Sequence, residues 1–253
     1  MTRKAETRSQ EPAGIHRCSG RQPKGKIFQL PHYTITIGLT LFLVLLLSGC
    51  KQPAEKKTGE QEKKGYAGII VAVGDSLTAG LGVAEEDNYP AQLQRRLDTE
   101  GLRYRVINSG VSGETSSGAL SRLNWILSLK PDIVILETGA NDGLRGVDPQ
   151  LTRKNIEKIV AGLQEKKIIT ILAGMRMVGN LGLGYTDPFR QLYLDVAKET
   201  GVIFMPFFLE GVAADPTLNI SDGIHPNRRG YEIIVNNLFP SVIRAIDLKK
   251  KGR

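Results

Sequence analysis

Ile69-Ile70-Val71-Ala72-Val73-Gly74-Asp75-Ser76-Leu77 begins with five consecutive apolar residues and stops at a glycine followed by two small polar side chains. An apolar run without alternation describes a strand buried on both faces, as in a parallel sheet. Further runs of this kind stand at 104–108, 133–137, 168–173 and 202–204, where Val, Ile and aromatic residues concentrate. Between them lie stretches of helical periodicity at 89–100, 117–129, 152–166 and 188–199. A last helix is expected to start near Pro226, a residue suited to the first helical position, and to carry Ile233, Ile234 and Leu238 on one face. Pro240 is expected to break or kink it. Strand and helix in alternation predict an α/β fold with a parallel sheet covered on both sides. In such sheets ligands bind beyond the carboxyl ends of the strands, so chemistry is sought there first.

The chain has 253 residues, 41% hydrophobic and 24% charged, enough for one ordinary α/β domain. Its net charge of +8 is unevenly spread. Residues 68–248 hold 18 Lys/Arg against 21 Asp/Glu and are mildly acidic, whereas 1–49, 50–67 and 249–253 carry +5, +2 and +4. Basic ends flanking an acidic domain argue against a nucleic-acid groove, and no nucleic-acid partner is expected. Both cysteines, Cys18 and Cys50, precede residue 68, and the domain's one histidine is His225. A disulfide scaffold, a cysteine-based zinc site and a thiol nucleophile are thereby excluded from the domain, and neither metal nor cofactor is expected.

Residues 35–47 (ITIGLTLFLVLLL) form a short uncharged apolar tract preceded by Arg21, Lys24 and Lys26. These are the parts of a secretory signal, and the tract is short for a membrane span. Leu47-Ser48-Gly49-Cys50 resembles a bacterial lipobox, which implies a signal peptide over 1–49 and a lipid-modified Cys50. An uncleaved anchor is the other reading. Residues 50–67, polar and without periodicity, read as a flexible linker, 68–248 as the domain and 249–253 as a solvated basic tail. The expected location is the cell envelope, with the protein anchored to a membrane through Cys50.

Four polar segments follow strands or stand near the end: Gly74-Asp75-Ser76, Ser109-Gly110-Val111-Ser112-Gly113, Gly139-Ala140-Asn141-Asp142 and Asp222-Gly223-Ile224-His225-Pro226. Singly, each has an ordinary explanation as a helix cap or a turn. Together they hold the parts of acyl transfer. A serine nucleophile requires a base within reach and a group orienting that base. Asp222 can hold one nitrogen of His225 while the other faces Ser76. The N–H groups of Ser76 and Gly113 and the side-chain amide of Asn141 are suitable donors for an oxyanion.

These blocks, in this order, resemble the SGNH (GDSL-type) hydrolases over about residues 68–246, and most closely their bacterial branch of thioesterases, lysophospholipases and arylesterases. The segments Asn141-Asp142-Gly143-Leu144-Arg145-Gly146 and Asp222-Gly223-Ile224-His225-Pro226-Asn227 carry that closer likeness. The resemblance implies a flavodoxin-like three-layer α/β/α sandwich with a five-stranded parallel sheet. It implies Ser76 as nucleophile, His225 as base, Asp222 as its orienting carboxylate, and an oxyanion hole of Ser76, Gly113 and Asn141. The expected activity is hydrolysis of acyl esters or lysophospholipids, with thioesters a further candidate. A carbohydrate O-deacetylase of the same family and a non-catalytic ligand-binding lipoprotein are the alternatives.

Other motifs fail on spacing. After Gly80 and Gly82 the third glycine of a dinucleotide fingerprint is replaced by Glu85, and Thr78 stands where a G-x-S-x-G elbow needs glycine. Asp75 and Asp142 read as loop-orienting acceptors, and Glu137 as an inward structural carboxylate. Residues 175–189 read either as a mobile flap beside an acyl pocket or as an ordinary glycine-bearing loop.

Overall fold

The computed structural model describes residues 65–177 and 181–252. The expected signal segment 1–49, Cys50 and nearly all of the expected linker 50–67 lie outside the described residues. Five strands, β1 (Gly68–Gly74), β2 (Tyr104–Gly110), β3 (Ile133–Glu137), β4 (Ile169–Ala173) and β5 (Ile203–Met205), form one sheet. All its pairings are parallel and its order is β2-β1-β3-β4-β5. β3 is buried along its whole length and β1 at all but one residue, because helices cover both faces.

The helices are α1 (Ser76–Ala79), α2 (Tyr89–Thr99), α3 (Ser116–Ser121), α4 (Leu123–Ser128), α5 (Ala140–Leu144), α6 (Pro149–Glu165), α7 (Leu183–Thr200) and α8 (Arg228–Lys251). α2 packs on α8, while α6 packs on α3 and α7, which makes two helical layers with the sheet between them. The expected α/β sandwich is therefore the observed one. Its strand order reverses direction at β1, between β2 and β3, and the carboxyl ends of strands at such a switch point open a crevice.

Several local expectations change. The helix expected over 117–129 is two, broken at Arg122 (φ −101°, ψ 13°). α7 starts at Leu183 and holds Pro188 inside it. The missing N–H of Pro188 would have served the carbonyl of Gly184, an exposed residue of the first turn, so little is lost. Residues 183–189 of the segment 175–189 are thus helix. Pro240 does not break α8. Pro240 and Asn236, whose carbonyl loses its partner, are both exposed, while Ile234, Leu238, Val242 and Ile246 keep one face buried across the proline.

Pro226 is not the first helical residue. Asn227 caps α8 by accepting from the N–H groups of Arg229 (3.0 Å) and Gly230 (3.1 Å), and Pro226 stays extended in a bridge with Asn219. The basic tail also differs: Lys249–Lys251 continue α8, and Lys249 pairs with Asp132 at 2.8 Å. Cations in a last helical turn meet the negative end of the helix dipole, which favours this extension.

Candidate active site

Ser76 is the first residue of α1, immediately beyond β1. Asp75 caps that turn: its Oδ1 accepts the N–H of Leu77 at 3.0 Å. Gly74 is required by close approach, since a Cβ there would collide with Thr78 Oγ1 and the Glu137 carboxyl. The Ser76 turn is therefore drawn tightly onto the end of β3. Ser76 remains 9% exposed, enough to face a ligand.

The 219–227 loop brings His225 over Ser76. Ile220 donates its N–H to the carbonyl of His225 at 2.8 Å, and the Asn219–Pro226 bridge holds the other side. Ser76 Oγ lies 2.8 Å from His225 Nε2, and His225 Nδ1 lies 2.6 Å from Asp222 Oδ2. Asp222 Oδ1 accepts the N–H groups of Ile224 and His225, both at 3.0 Å. Burial pushes the Asp222 carboxyl up, but these two N–H groups and the His225 ring outweigh it and hold it at about 2. An ionised carboxylate only accepts, so Nδ1 carries a proton toward Asp222, and an unprotonated Nε2 accepts from the Ser76 hydroxyl.

Gly113 lies on the loop after β2, at φ +79°, a left-handed conformation natural to glycine. Among the described residues, neither its N–H nor that of Ser76 has an acceptor. Asn141 reaches the same place from α5, but both of its N–H groups are occupied. They donate to Asp75 Oδ2 (3.0 Å) and to the Glu114 carbonyl (3.1 Å). All five residues expected from the sequence converge, and Asn141 differs in being internally satisfied.

Asp75, Asp142 and Glu137 hold this framework. Asp142 accepts the N–H and hydroxyl of Ser116 (2.7 and 2.5 Å) and the hydroxyl of Thr152 (3.1 Å). Glu137 is fully buried, and its Oε2 accepts from Thr78 Oγ1 (2.9 Å) and Asp75 N–H (3.3 Å) while Oε1 has no partner. Burial, then the neighbouring Asp75, push Glu137 well above the usual carboxylate range. Burial raises Asp75 to about 6 against the bonds from Leu77 and Asn141.

Sequence reasoning passed over Glu114, Arg122 and Arg145. Glu114 and Arg122 pair over eight positions with no helical register to announce them, and Arg145, which donates to the Gly113 carbonyl at 2.9 Å, meets its acceptor only through the fold. Among the described residues no group of three or more His, Cys, Asp or Glu could hold a metal ion.

A cavity of about 410 Å³ opens at Ser76 and His225. Leu77, Leu144, Met175, Met177, Phe207 and Leu209 supply much of its apolar wall. Met175 and Met177, from the segment after β4, thus border the site, as one of the two sequence readings expected.

A parallel sheet carrying a serine–imidazole–carboxylate chain over an apolar cavity is the arrangement of SGNH-type hydrolases. The chain belongs to the GDSL-like Lipase/Acylhydrolase family, whose model matches residues 72–233. It is 35% identical over 199 residues to "Esterase TesA" of Pseudomonas aeruginosa, covering 78% of this chain and 96% of that protein. It is 34% identical over 171 residues to "Thioesterase 1/protease 1/lysophospholipase L1" of Escherichia coli (strain K12), covering 67% and 81%. Among solved structures it is similar to AlinE4, an SGNH-hydrolase family esterase, with a TM-score of 0.61 and 40% identity, covering 72% of this chain and 97% of that one. The chain is an ester hydrolase of this family.

Proposed function

We propose that the protein is a serine esterase working through an acyl-enzyme on Ser76, with fatty-acyl esters such as lysophospholipids as its substrates. The supporting observation is the continuous chain Ser76 Oγ–His225 Nε2 (2.8 Å) and His225 Nδ1–Asp222 Oδ2 (2.6 Å) at the floor of an apolar cavity. His225 takes the hydroxyl proton as Ser76 Oγ attacks the ester carbonyl, and returns it to the leaving alcohol as the C–O bond breaks. Water, activated by the same imidazole, then attacks the acyl-enzyme and releases the acid. The open N–H groups of Ser76 and Gly113 receive the developing oxyanion. Asn141 joins them when one of its N–H groups turns from its internal acceptor to the charge, a stronger charge-assisted bond.

The cavity speaks to chain length. At about 410 Å³ it falls in the range of roughly 300–1,000 Å³ that encloses whole small ligands, far more than an acetyl group fills. A long acyl chain against Met175, Met177 and Phe207 is therefore favoured over the deacetylase alternative. Each methylene buried there is worth about 0.8 kcal/mol, about fourfold in binding. The relative that bears the name lysophospholipase L1 lends the headgroup part of the reading.

Lipid attachment at Cys50, after removal of 1–49, would keep such an enzyme beside membrane lipids in the cell envelope. That part rests on the basic segment, apolar tract and Leu47-Ser48-Gly49-Cys50. Among the described residues no helix is long and apolar enough to cross a membrane. The test is hydrolysis of p-nitrophenyl esters from acetate to palmitate by the wild type and Ser76→Ala. Rising kcat/KM with chain length, lost in Ser76→Ala, is expected; turnover surviving in Ser76→Ala refutes the nucleophile, and an optimum at acetate refutes the acyl pocket. For the anchor, Cys50→Ser should move the protein from membrane to soluble fractions on expression in a bacterium; retention on the membrane refutes lipidation.

A further inference from the structure

We propose that Glu114 and Arg122 are a positioning pair for the oxyanion site, a fork that holds the Gly113 N–H and the Asn141 amide at their working places. The proposal rests on the reading of Ser76, Gly113 and Asn141 given above. The loop between β2 and α3 has few backbone bonds of its own, and Arg145 holds it from outside at the Gly113 carbonyl (2.9 Å). Val111, Ser112 and Gly113 are exposed, and its backbone bonds are Val111 N–H to the Gly74 carbonyl (2.9 Å) and Glu114 N–H to the Val111 carbonyl (3.0 Å).

The Arg122 guanidinium spans that loop. Its Nε and Nη2 donate to the two Glu114 oxygens, both at 2.7 Å, in a bidentate pair. Its Nη1 donates to Ser109 Oγ at 2.6 Å, and Nη2 also donates to the Ser109 carbonyl at 2.7 Å. One side chain therefore ties the last residues of β2 to the far end of the loop. The carboxylate and guanidinium are 7% and 16% exposed, so their attraction is little screened by water.

The consequence reaches the chemistry through two short links. Glu114 adjoins Gly113, whose N–H is open, and the Glu114 carbonyl accepts from Asn141 at 3.1 Å. Fixing Glu114 thus sets one oxyanion donor directly and aims the second. The break between α3 and α4 has its reason here, since Arg122 leaves helical geometry where its guanidinium turns to Ser109 and Glu114. Lysine could not replace it, because a point charge lacks the planar fork that holds two oxygens and a carbonyl at once.

The full chain carrying Glu114→Gln, Arg122→Gln, Arg122→Lys or Arg122→Ala is assayed on p-nitrophenyl butyrate, with thermal unfolding and with inhibition by an alkyl trifluoromethyl ketone. That ketone forms a tetrahedral adduct whose oxyanion needs the same donors. Below the unfolding temperature, kcat is expected to fall on the order of 100-fold with KM within about threefold, as for a displaced oxyanion donor. Ketone affinity should weaken in parallel with kcat, while affinity for the fatty-acid product does not change. Free guanidinium should restore part of the kcat of Arg122→Ala.

A Glu114→Gln or Arg122→Lys enzyme that keeps kcat within about twofold overturns the proposal, as does a loss confined to KM or to melting temperature. If the Arg122 variants do not fold, the near-isosteric Glu114→Gln decides alone. Ser76→Ala is measured alongside. Activity persisting there refutes the nucleophile assignment itself, whereas an inactive Ser76→Ala beside fully active Glu114→Gln refutes the positioning pair only.

Discussion

Replacing Glu137 by Gln should make the protein progressively more stable than wild type as pH rises. Glu137 is fully buried at the end of β3, its Oε2 receiving Thr78 O–H and Asp75 N–H and its Oε1 receiving nothing. Burial, and the Asp75 carboxyl beside it, push its pKa well above the usual carboxylate range, so the folded protein holds the proton to higher pH than the unfolded chain does. In the unfolded chain the same group ionises near pH 4.3. The folded pKa is the higher one, so this group's stabilising contribution is complete below pH 4.3. It is lost as pH rises, until the folded pKa is passed, at about 1.4 kcal/mol per pH unit. Asp75 behaves alike over a narrower window: raised from 3.8 to about 6, it removes about 3 kcal/mol between those pH values.

The amide introduced by Glu137→Gln does not titrate, keeps a carbonyl oxygen to accept from Thr78 and Asp75, and puts its NH₂ where Oε1 already lacks a partner. The stability of this variant relative to wild type should therefore climb by about 1.4 kcal/mol for each pH unit between the unfolded and folded pKa values of Glu137. For a domain of this size that amounts to roughly 3–6 °C in melting temperature per pH unit. Urea unfolding followed by circular dichroism at pH 5, 6, 7 and 8 reads the difference directly. A gap between the two proteins that stays flat over this range refutes a protonated Glu137.

Three further expectations rest on single contacts. Asp222→Asn should leave the fold intact, since an amide oxygen can still accept from Ile224 and His225 N–H, but should lower kcat about 10⁴-fold by favouring the wrong imidazole tautomer; steady-state kinetics beside a circular dichroism spectrum check it. Ala213→Trp, in the wall of the cavity, should cut kcat/KM for palmitate far more than for acetate, and equal losses across a chain-length series would show that acyl chains do not lie there. Lys167 sits exposed just past α6 at φ +57°, a left-handed position where a Cβ costs about 1–2 kcal/mol. Lys167→Gly should accordingly raise the melting temperature slightly, with activity unchanged, and a fall in thermal unfolding would contradict the backbone argument.

Much of this protein is legible along the chain. Short continuous apolar runs such as 69–73 and 133–137, rich in β-branched residues and bounded by turn signals, announce strands buried on both faces, where alternation is not needed. Ser76, Gly113 and Asn141 stand in short segments just beyond strands, Asp222 and His225 in the loop before the last helix, and the scarcity of histidine singles out His225. Local rules misjudge positions where distant packing supplies the stronger force. Pro240 is carried through α8 by apolar burial on either side of it, and Asn227 caps that helix, leaving Pro226, expected at its first position, outside it. Arg122 lies within a plausible helical pattern and leaves it for Ser109 and Glu114.

The sequence alone therefore determined the fold class and which residue types were available for chemistry, since periodicity and composition are properties of neighbours along the chain. Only the tertiary structure decided that Ser76 and His225, 149 positions apart, stand 2.8 Å from each other. It also decided that Asn141 begins with both protons engaged, and that burial behind the Ser76 turn pushes the Glu137 carboxyl well above its usual range. Such facts depend on distance and on the exclusion of water, and both arise only when strand ends remote in sequence are brought together at one edge of the sheet.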